Sequence, residues 1–288
     1  MTAVIRVAVL ALAFGLAVPQ TAPPVTVTHA ARALQPGELV VLTMTLAQPA
    51  TQLQVRAFDR AFVPFSVDPR TWKVLIGIDL DVQPGTYPVS ISASVSGADV
   101  RASHSLVVVV KTFPTRRLTV DESFVNPPPE AVERIQRDAR DLEQVWRTPA
   151  GERLWQDAFV RPVPDPSNSA FGTRSVFNGQ PRSPHGGADF LSPSGRPIGA
   201  PSRSRVALAR DLYYTGNTVI LDHGLGLFSM FAHLSVIKVK DGDVVTAGQV
   251  IGEVGATGRV TGPHLHWTVR LNGTRVDPLS LLALLGEK

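Results

Sequence analysis

The sequence predicts a mainly β protein: an N-terminal β-sandwich of immunoglobulin-like kind, a short helical connector, and a C-terminal antiparallel β domain. Three observations carry that expectation. Apolar and polar residues alternate with period two through most of 25–110. A Pro-rich break at 127–129 is followed by apolar residues at helical spacing. From residue 170 onward short β-branched runs return, punctuated by glycine.

Residues 1–22 read as a secretory signal peptide. Arg6 precedes an apolar stretch from Val7 to Val18, and Pro19, Thr21 and Ala22 follow it. That stretch is shorter than the roughly 20 residues of a membrane-crossing helix. No later segment is long and apolar enough to span a bilayer, so the mature chain is expected to have no membrane span.

The front β unit covers 25–111. Tyr87, Val89, Ile91, Ala93 and Val95 alternate with Pro88 and three serines, as a half-buried strand requires. Similar runs occupy Leu39–Leu46, Gln52–Phe58, Val74–Leu80 and Ser105–Val110. Turns at Gln35-Pro36-Gly37-Glu38 and Val82-Gln83-Pro84-Gly85 separate them. Short strands at this spacing suggest a sandwich. His29 and His104 fall here, without a partner at metal-ligand spacing, and are read as incidental.

The connector covers 112–169. Pro127-Pro128-Pro129 ends any strand and leads into an amphipathic helix marked by Val132, Ile135, Leu142 and Val145, running to about Trp146. A second short helix over Glu152–Phe159 is compatible with the pattern. Pro162–Ser169, rich in Pro, Ser, Asp and Asn, reads as a linker or surface loop. The C-terminal unit, 170–284, has strand-like runs at Arg205–Ala209, Asn217–Asp222, Leu227–Ala232, Val250–Val254 and His264–Leu271.

A length of 288 residues suits two modest domains. With 44% hydrophobic and 18% charged residues, the composition is that of an ordinary globular chain. The formal net charge of +4 comes from scattered basic residues, so no nucleic-acid face is expected. There is no cysteine, which excludes disulfides and confines any metal site to His, Asp and Glu.

The C-terminal unit concentrates the histidines: His185, His223, His233, His264 and His266. His264 and His266 flank Leu265, and residues two apart on a strand share a face. His185 and Asp189 are four apart beside Pro184, Gly186 and Gly187. That neighbourhood favours extended backbone, and it again gives one shared face. Two His and one carboxylate suit zinc, and a catalytic zinc site keeps three protein ligands and one open position. Zinc brings the pKa of water towards about 7, and further imidazoles can take its proton or stabilise an oxyanion. His223, in a turn leading to Gly224, is read as structural.

These residues resemble a known family. His185-x-x-x-Asp189, then Phe231-Ala232-His233-Leu234-Ser235, then Gly262-Pro263-His264-Leu265-His266 are similar to the lysostaphin-like (LytM-type) metallopeptidases. Gly216-Asn217-Thr218-Val219-Ile220-Leu221-Asp222-His223-Gly224 and Gly255-Ala256-Thr257-Gly258 match the same pattern, over roughly Phe171 to Leu282. The resemblance implies a LytM-type antiparallel β catalytic domain with one zinc ion per chain, held by His185, Asp189 and His266. It implies that His233 and His264 are the catalytic histidines. It further implies peptidoglycan peptides as substrate, a periplasmic or cell-envelope location, and envelope proteins as candidate partners. Phe231 stands where many members carry Tyr, which removes a hydroxyl near the site. The N-terminal unit, with Pro84-Gly85-Thr86-Tyr87, also resembles accessory domains of such exported peptidases.

Two rivals remain. One is a non-catalytic relative that binds the cell wall and activates other wall hydrolases; such proteins lose metal ligands, and this chain retains all three. The other is a biotinyl- or lipoyl-type carrier, suggested by Val239-Lys240-Asp241-Gly242-Asp243 and the run to Gly252. A carrier needs a lysine at a hairpin tip, and Ala256-Thr257-Gly258 stands there instead.

Overall fold

A computed structural model describes residues 25–119, 122, 125–168 and 170–287. The expected signal peptide, residues 1–22, lies outside the described residues. The described chain is mainly β, with N-terminal sheets, a helix and a larger C-terminal sheet.

Two four-stranded sheets make the front half. One orders Val25–Ala31, Leu39–Leu46, Thr71–Gly77 and Phe65–Ser66; the other orders Arg60–Phe62, Ala50–Ala57, Gly85–Val95 and Ala98–Val108. Their inward residues form one apolar cluster that includes Val40, Leu42, Met44, Val55, Val74, Ile76, Val89, Ile91 and Leu106. The run Leu39-Val40-Val41-Leu42 is apolar without alternation because that strand is buried on both faces. Val40 and Leu42 point into the front cluster, whereas Leu39 and Val41, together with Leu75 of the neighbouring strand, join the core of the C-terminal sheet.

Helix α1 spans Pro129–Arg147, with proline in its first turn and Glu130 at the positive end of its dipole. It lies on the C-terminal sheet, where Leu142, Val145 and Trp146 pack against Leu208, Leu212, Ile220 and Phe228. Arg134 and Asp141 pair with Asp211 and Arg210, and Asp138 accepts from the Tyr213 amide at 2.8 Å.

No helix forms over Glu152–Phe159. The backbone there donates outward instead: Leu154 to the His223 carbonyl at 2.9 Å and Phe159 to the Leu285 carbonyl at 2.8 Å. Trp155 and Phe159 sink into the C-terminal core, and this packing outweighs a short helix that would have left them half outside. Pro162–Asn168, the described part of the expected linker, is realised as a loop held along the sheet. Gly199 donates to the Pro162 carbonyl at 2.9 Å, Leu191 to Pro166 at 3.0 Å, and Asn168 to Asp189 at 3.0 Å.

The C-terminal sheet has nine strands, with main order Gly187–Phe190, Leu265–Leu271, Leu227–Ile237, Gly216–Gly224, Ser204–Leu212 and Val244–Val245. Helix α2, Pro278–Leu285, closes it, capped by the Asp277 carboxylate accepting from the Leu279 amide at 2.9 Å. Around that cap the front half docks. Leu39 donates its amide to Ser280 Oγ at 2.9 Å, Arg32 bridges Glu38 and Asp277, and Arg275 bridges Asp79 and Asp81. Among the described residues no helix is long and apolar enough to cross a membrane.

Candidate metal centre and groove

Strand register builds the centre. Gly187–Phe190 pairs antiparallel with Leu265–Leu271, Ala188 opposite Trp267 and Asp189 opposite His266. Ala188, Phe190, Trp267 and Val269 face the core. By alternation Asp189, His266 and Thr268 face the other way. His185, four residues before Asp189, reaches back over the same face. His185 Nε2 stands 3.0 Å from Asp189 Oδ1 and 3.1 Å from His266 Nδ1, and the last two are 2.8 Å apart. Among the described residues this is the one cluster of at least three candidate ligand groups.

The donor set fits zinc. Three atoms about 3 Å apart can touch one small ion, since zinc bonds of about 2.0–2.2 Å put tetrahedral neighbours roughly 3.3–3.5 Å apart. His266 Nε2 lies 2.9 Å from Thr268 Oγ1. A ring that donates there presents the Nδ1 lone pair to the cluster, the usual support for a ligating imidazole. Burial alone would raise the Asp189 carboxyl, but the adjoining His185 and His266 rings outweigh it. They hold the group ionised, well below the usual carboxylate range. His266 is pushed down, chiefly by burial, and so favours its neutral form, as a metal ligand must.

The other two histidines stand over this triangle. The His233 ring centroid is 5.0 Å from that of His264 and 6.0 Å from that of His266. His233 sits at an irregularity in the pairing of Gly216–Gly224 with Leu227–Ile237, with φ of 66°, and its amide donates to the Thr215 carbonyl at 2.8 Å. This left-handed backbone is uncommon outside glycine, and the surrounding hydrogen bonds hold it. His233 Nδ1 lies 2.9 Å from the Thr257 carbonyl, and His264 Nδ1 lies 2.9 Å from the Gly262 carbonyl. A carbonyl only accepts, so both rings carry their proton on Nδ1 and, when neutral, offer the Nε2 lone pair. Burial lowers the His233 pKa to about 4, so the ring is neutral at pH 7. Thr257 comes close because Gly216 and Gly258, both at positive φ, leave no room for a Cβ between the two loops.

The five site positions expected from the sequence, His185, Asp189, His233, His264 and His266, line one groove of about 780 Å³. Residues 183–278 match the model of peptidase family M23. A solved Pseudomonas aeruginosa structure assigned to the M23 peptidases is 32% identical, covers 87% of this chain and 96% of that one, and superposes with a TM-score of 0.68. The chain belongs to the M23, lysostaphin-like, peptidase family. Its matched region is 43% identical over 96 residues to the peptidoglycan DD-endopeptidase ShyA of Vibrio cholerae serotype O1, covering 33% of this chain and 22% of ShyA. It is 40% identical over 97 residues to the DD-carboxypeptidase/endopeptidase Mpg of Neisseria meningitidis serogroup B, covering 34% and 22% respectively. The match thus spans about a fifth of the length of these curated relatives.

Several features of this M23 chain were not read from its sequence. Thr268, two beyond His266 on one strand, was within reach of the period-two rule. The groove lining from Arg116 and Leu118 was not, because it depends on a strand pairing 59 residues away in the chain. Phe231 does not border the groove: it is fully buried, stacked on Trp267 with centroids 6.1 Å apart. A hydroxyl added to this ring would therefore enter the core, and the sequence-based expectation of one missing from the site is corrected. His223 is buried against Phe159, with Nε2 2.9 Å from Ser229 Oγ, in keeping with a structural part. His29 and His104 do meet, 2.8 Å apart at the protein surface, on edge strands of the two different front sheets.

Proposed function

We propose that the chain is an exported zinc metalloendopeptidase acting in the cell envelope, where it hydrolyses peptide bonds in peptidoglycan stem peptides or their crosslinks. One observation carries this reading: the Asp189–His266 register, with His185, makes a three-donor site directly beneath two imidazoles whose Nε2 atoms are free to accept protons. The peptidoglycan endopeptidases among its relatives supply the substrate class. His185, Asp189 and His266 hold the ion. Zinc there supplies Lewis acidity, polarising the scissile carbonyl and acidifying water. His233 and His264 then divide the proton work. One Nε2 takes a proton as water adds to the carbonyl carbon. The protonated ring can donate to the oxyanion, or to the leaving amine as the C–N bond breaks. The front half, read as an immunoglobulin-like sandwich, positions the catalytic sheet.

The test is digestion of defined crosslinked muropeptides by purified protein, with products identified by mass. Cleavage is expected to stop when a chelator strips the metal and to return with zinc. A zinc-loaded protein that leaves every muropeptide intact would refute the reading.

A further inference from the structure

The groove has a wall that proton transfer and metal binding do not use. The connector strand Thr115–Leu118 pairs in parallel with Arg174–Phe177, placing Arg116 opposite Ser175 and Leu118 opposite Phe177, and all four line the groove. Alternation thus turns one face of this small sheet towards the histidines. Arg116 Nε donates to Ser175 Oγ at 3.1 Å, which steadies the guanidinium and leaves its terminal nitrogens available. Arg182 donates from one terminal nitrogen to the Val125 carbonyl at 3.0 Å and to Gln180 Oε1 at 3.2 Å. Its Nε is buried and has no partner among the described residues. Arg259 lies over the Tyr214 ring, 4.5 Å from the centroid. Burial, then the positive charge of Arg182, lowers the affinity of Arg259 for its proton, so the two guanidinium groups feel each other.

Against Arg116 and Arg182 the groove lining has, among the described residues, a single carboxylate, Asp189, which belongs to the ligand triangle. No ion pair joins Arg116 or Arg182 to a carboxylate among the described residues. Gathering like charges in a partly desolvated cleft is costly unless an anion joins them. The planar fork of arginine suits a carboxylate in particular.

We infer that Arg116 and Arg182 form a carboxylate-reading wall, so that the preferred substrate is a peptide with free carboxylates flanking the scissile bond. A neutral peptide such as a glycine bridge would be a poor substrate. This inference rests on the hydrolase reading above and narrows it from peptidoglycan peptides in general to anionic stem peptides. It also gives the connector a part in specificity, since Arg116 precedes the catalytic unit in the chain.

The test uses two crosslinked stem peptides that differ only in whether their carboxylates are free or amidated, with the full mature protein loaded with zinc. KM for the free form is expected to be lower by roughly tenfold or more, and the gap should narrow as salt is raised. Arg116→Gln should raise KM on the free form by about tenfold, with far less change on the amidated form. Its zinc content and melting temperature should match the wild type, separating lost recognition from lost folding. Arg182→Gln should act in the same direction. Equal KM values for the two forms with the wild-type protein would overturn the carboxylate wall while leaving the hydrolase reading intact. Cleavage of neither form would overturn the hydrolase reading, and the wall with it.

Discussion

On the face of the C-terminal sheet turned towards the front half, Ala188, Phe190, Trp267 and Val269 meet Leu39, Val41 and Leu75 in a dry core. On the other face, from the same two strands, Asp189, His266 and Thr268 project towards the groove with partial exposure or a polar partner. The strands thus present two chemistries one residue out of phase. Candidate ligands whose relative positions must be held to about half an ångström stand on backbone whose reverse side is clamped by packing. The comparison teaches that the front half, remote from the histidines in sequence, supports them from behind.

The largest test of that division is truncation. A chain starting at Ser167 loses Leu39, Val41, Leu75, Trp155, Phe159 and Val163 from the shared core, and with them the Leu39–Ser280 hydrogen bond. We expect no cooperative thermal transition and little zinc binding. A sharp melt near that of the parent would break the comparison by showing that the groove unit stands alone.

Substitutions on the groove face should separate metal from turnover. Ala at His185, Asp189 or His266 should strip zinc from the purified protein, read by metal analysis. Ala at His233 or His264 should retain zinc while turnover falls by roughly two orders of magnitude or more. Full zinc occupancy in His266→Ala, or normal cleavage by His264→Ala, would exchange the roles assigned here.

A smaller effect comes from acid. Burial pushes His223 down to about 3, against an ordinary value of 6.5. Between those values the unfolded chain binds a proton that the folded chain refuses, so stability falls as pH drops from about 6.5 towards 3. The slope from this one group approaches about 1.4 kcal/mol per pH unit. Urea unfolding of the metal-free protein at pH 7 and pH 5 keeps the carboxylates largely out of the comparison. His223→Gln should show a shallower loss over that interval; an unchanged slope would mean that His223 is protonated in the fold.

Much of this was legible from the chain. Leu39–Leu46 and Val250–Val254 coincide with observed strands, and other runs fall within a residue or a few of them, because period-two patterning is a local property. The residues proposed as ligands and as catalytic histidines could be singled out because their spacing and flanking residues are also local, and the groove brings them together. Trp155 and Phe159 were misread because helical spacing says nothing about a core supplied by another segment. The contact between His29 and His104 depends on how two sheets pack, and the Arg116 wall on a pairing between distant strands, neither of which any window of sequence contains. The two-sided burial of Leu39–Leu42 belongs with them: its unbroken apolar run is visible, but what covers its second face is not.

Asp189 and His266 are 77 residues apart in the chain, and this spacing bears on when the protein can acquire its ion. His185 and Asp189 alone offer two donors, too few for a tight structural grip. The third arrives only after Leu265–Leu271 has slotted between Gly187–Phe190 and Leu227–Ile237. Capture of an ion by all three proposed donors would therefore require that this pairing has already formed. Gly187–Phe190 is a short strand at the sheet's margin, the kind of segment that frays first. An ion shared across its pairing with Leu265–Leu271 would act there as a reversible cross-link, fastening the margin at the place where chemistry requires it to hold still.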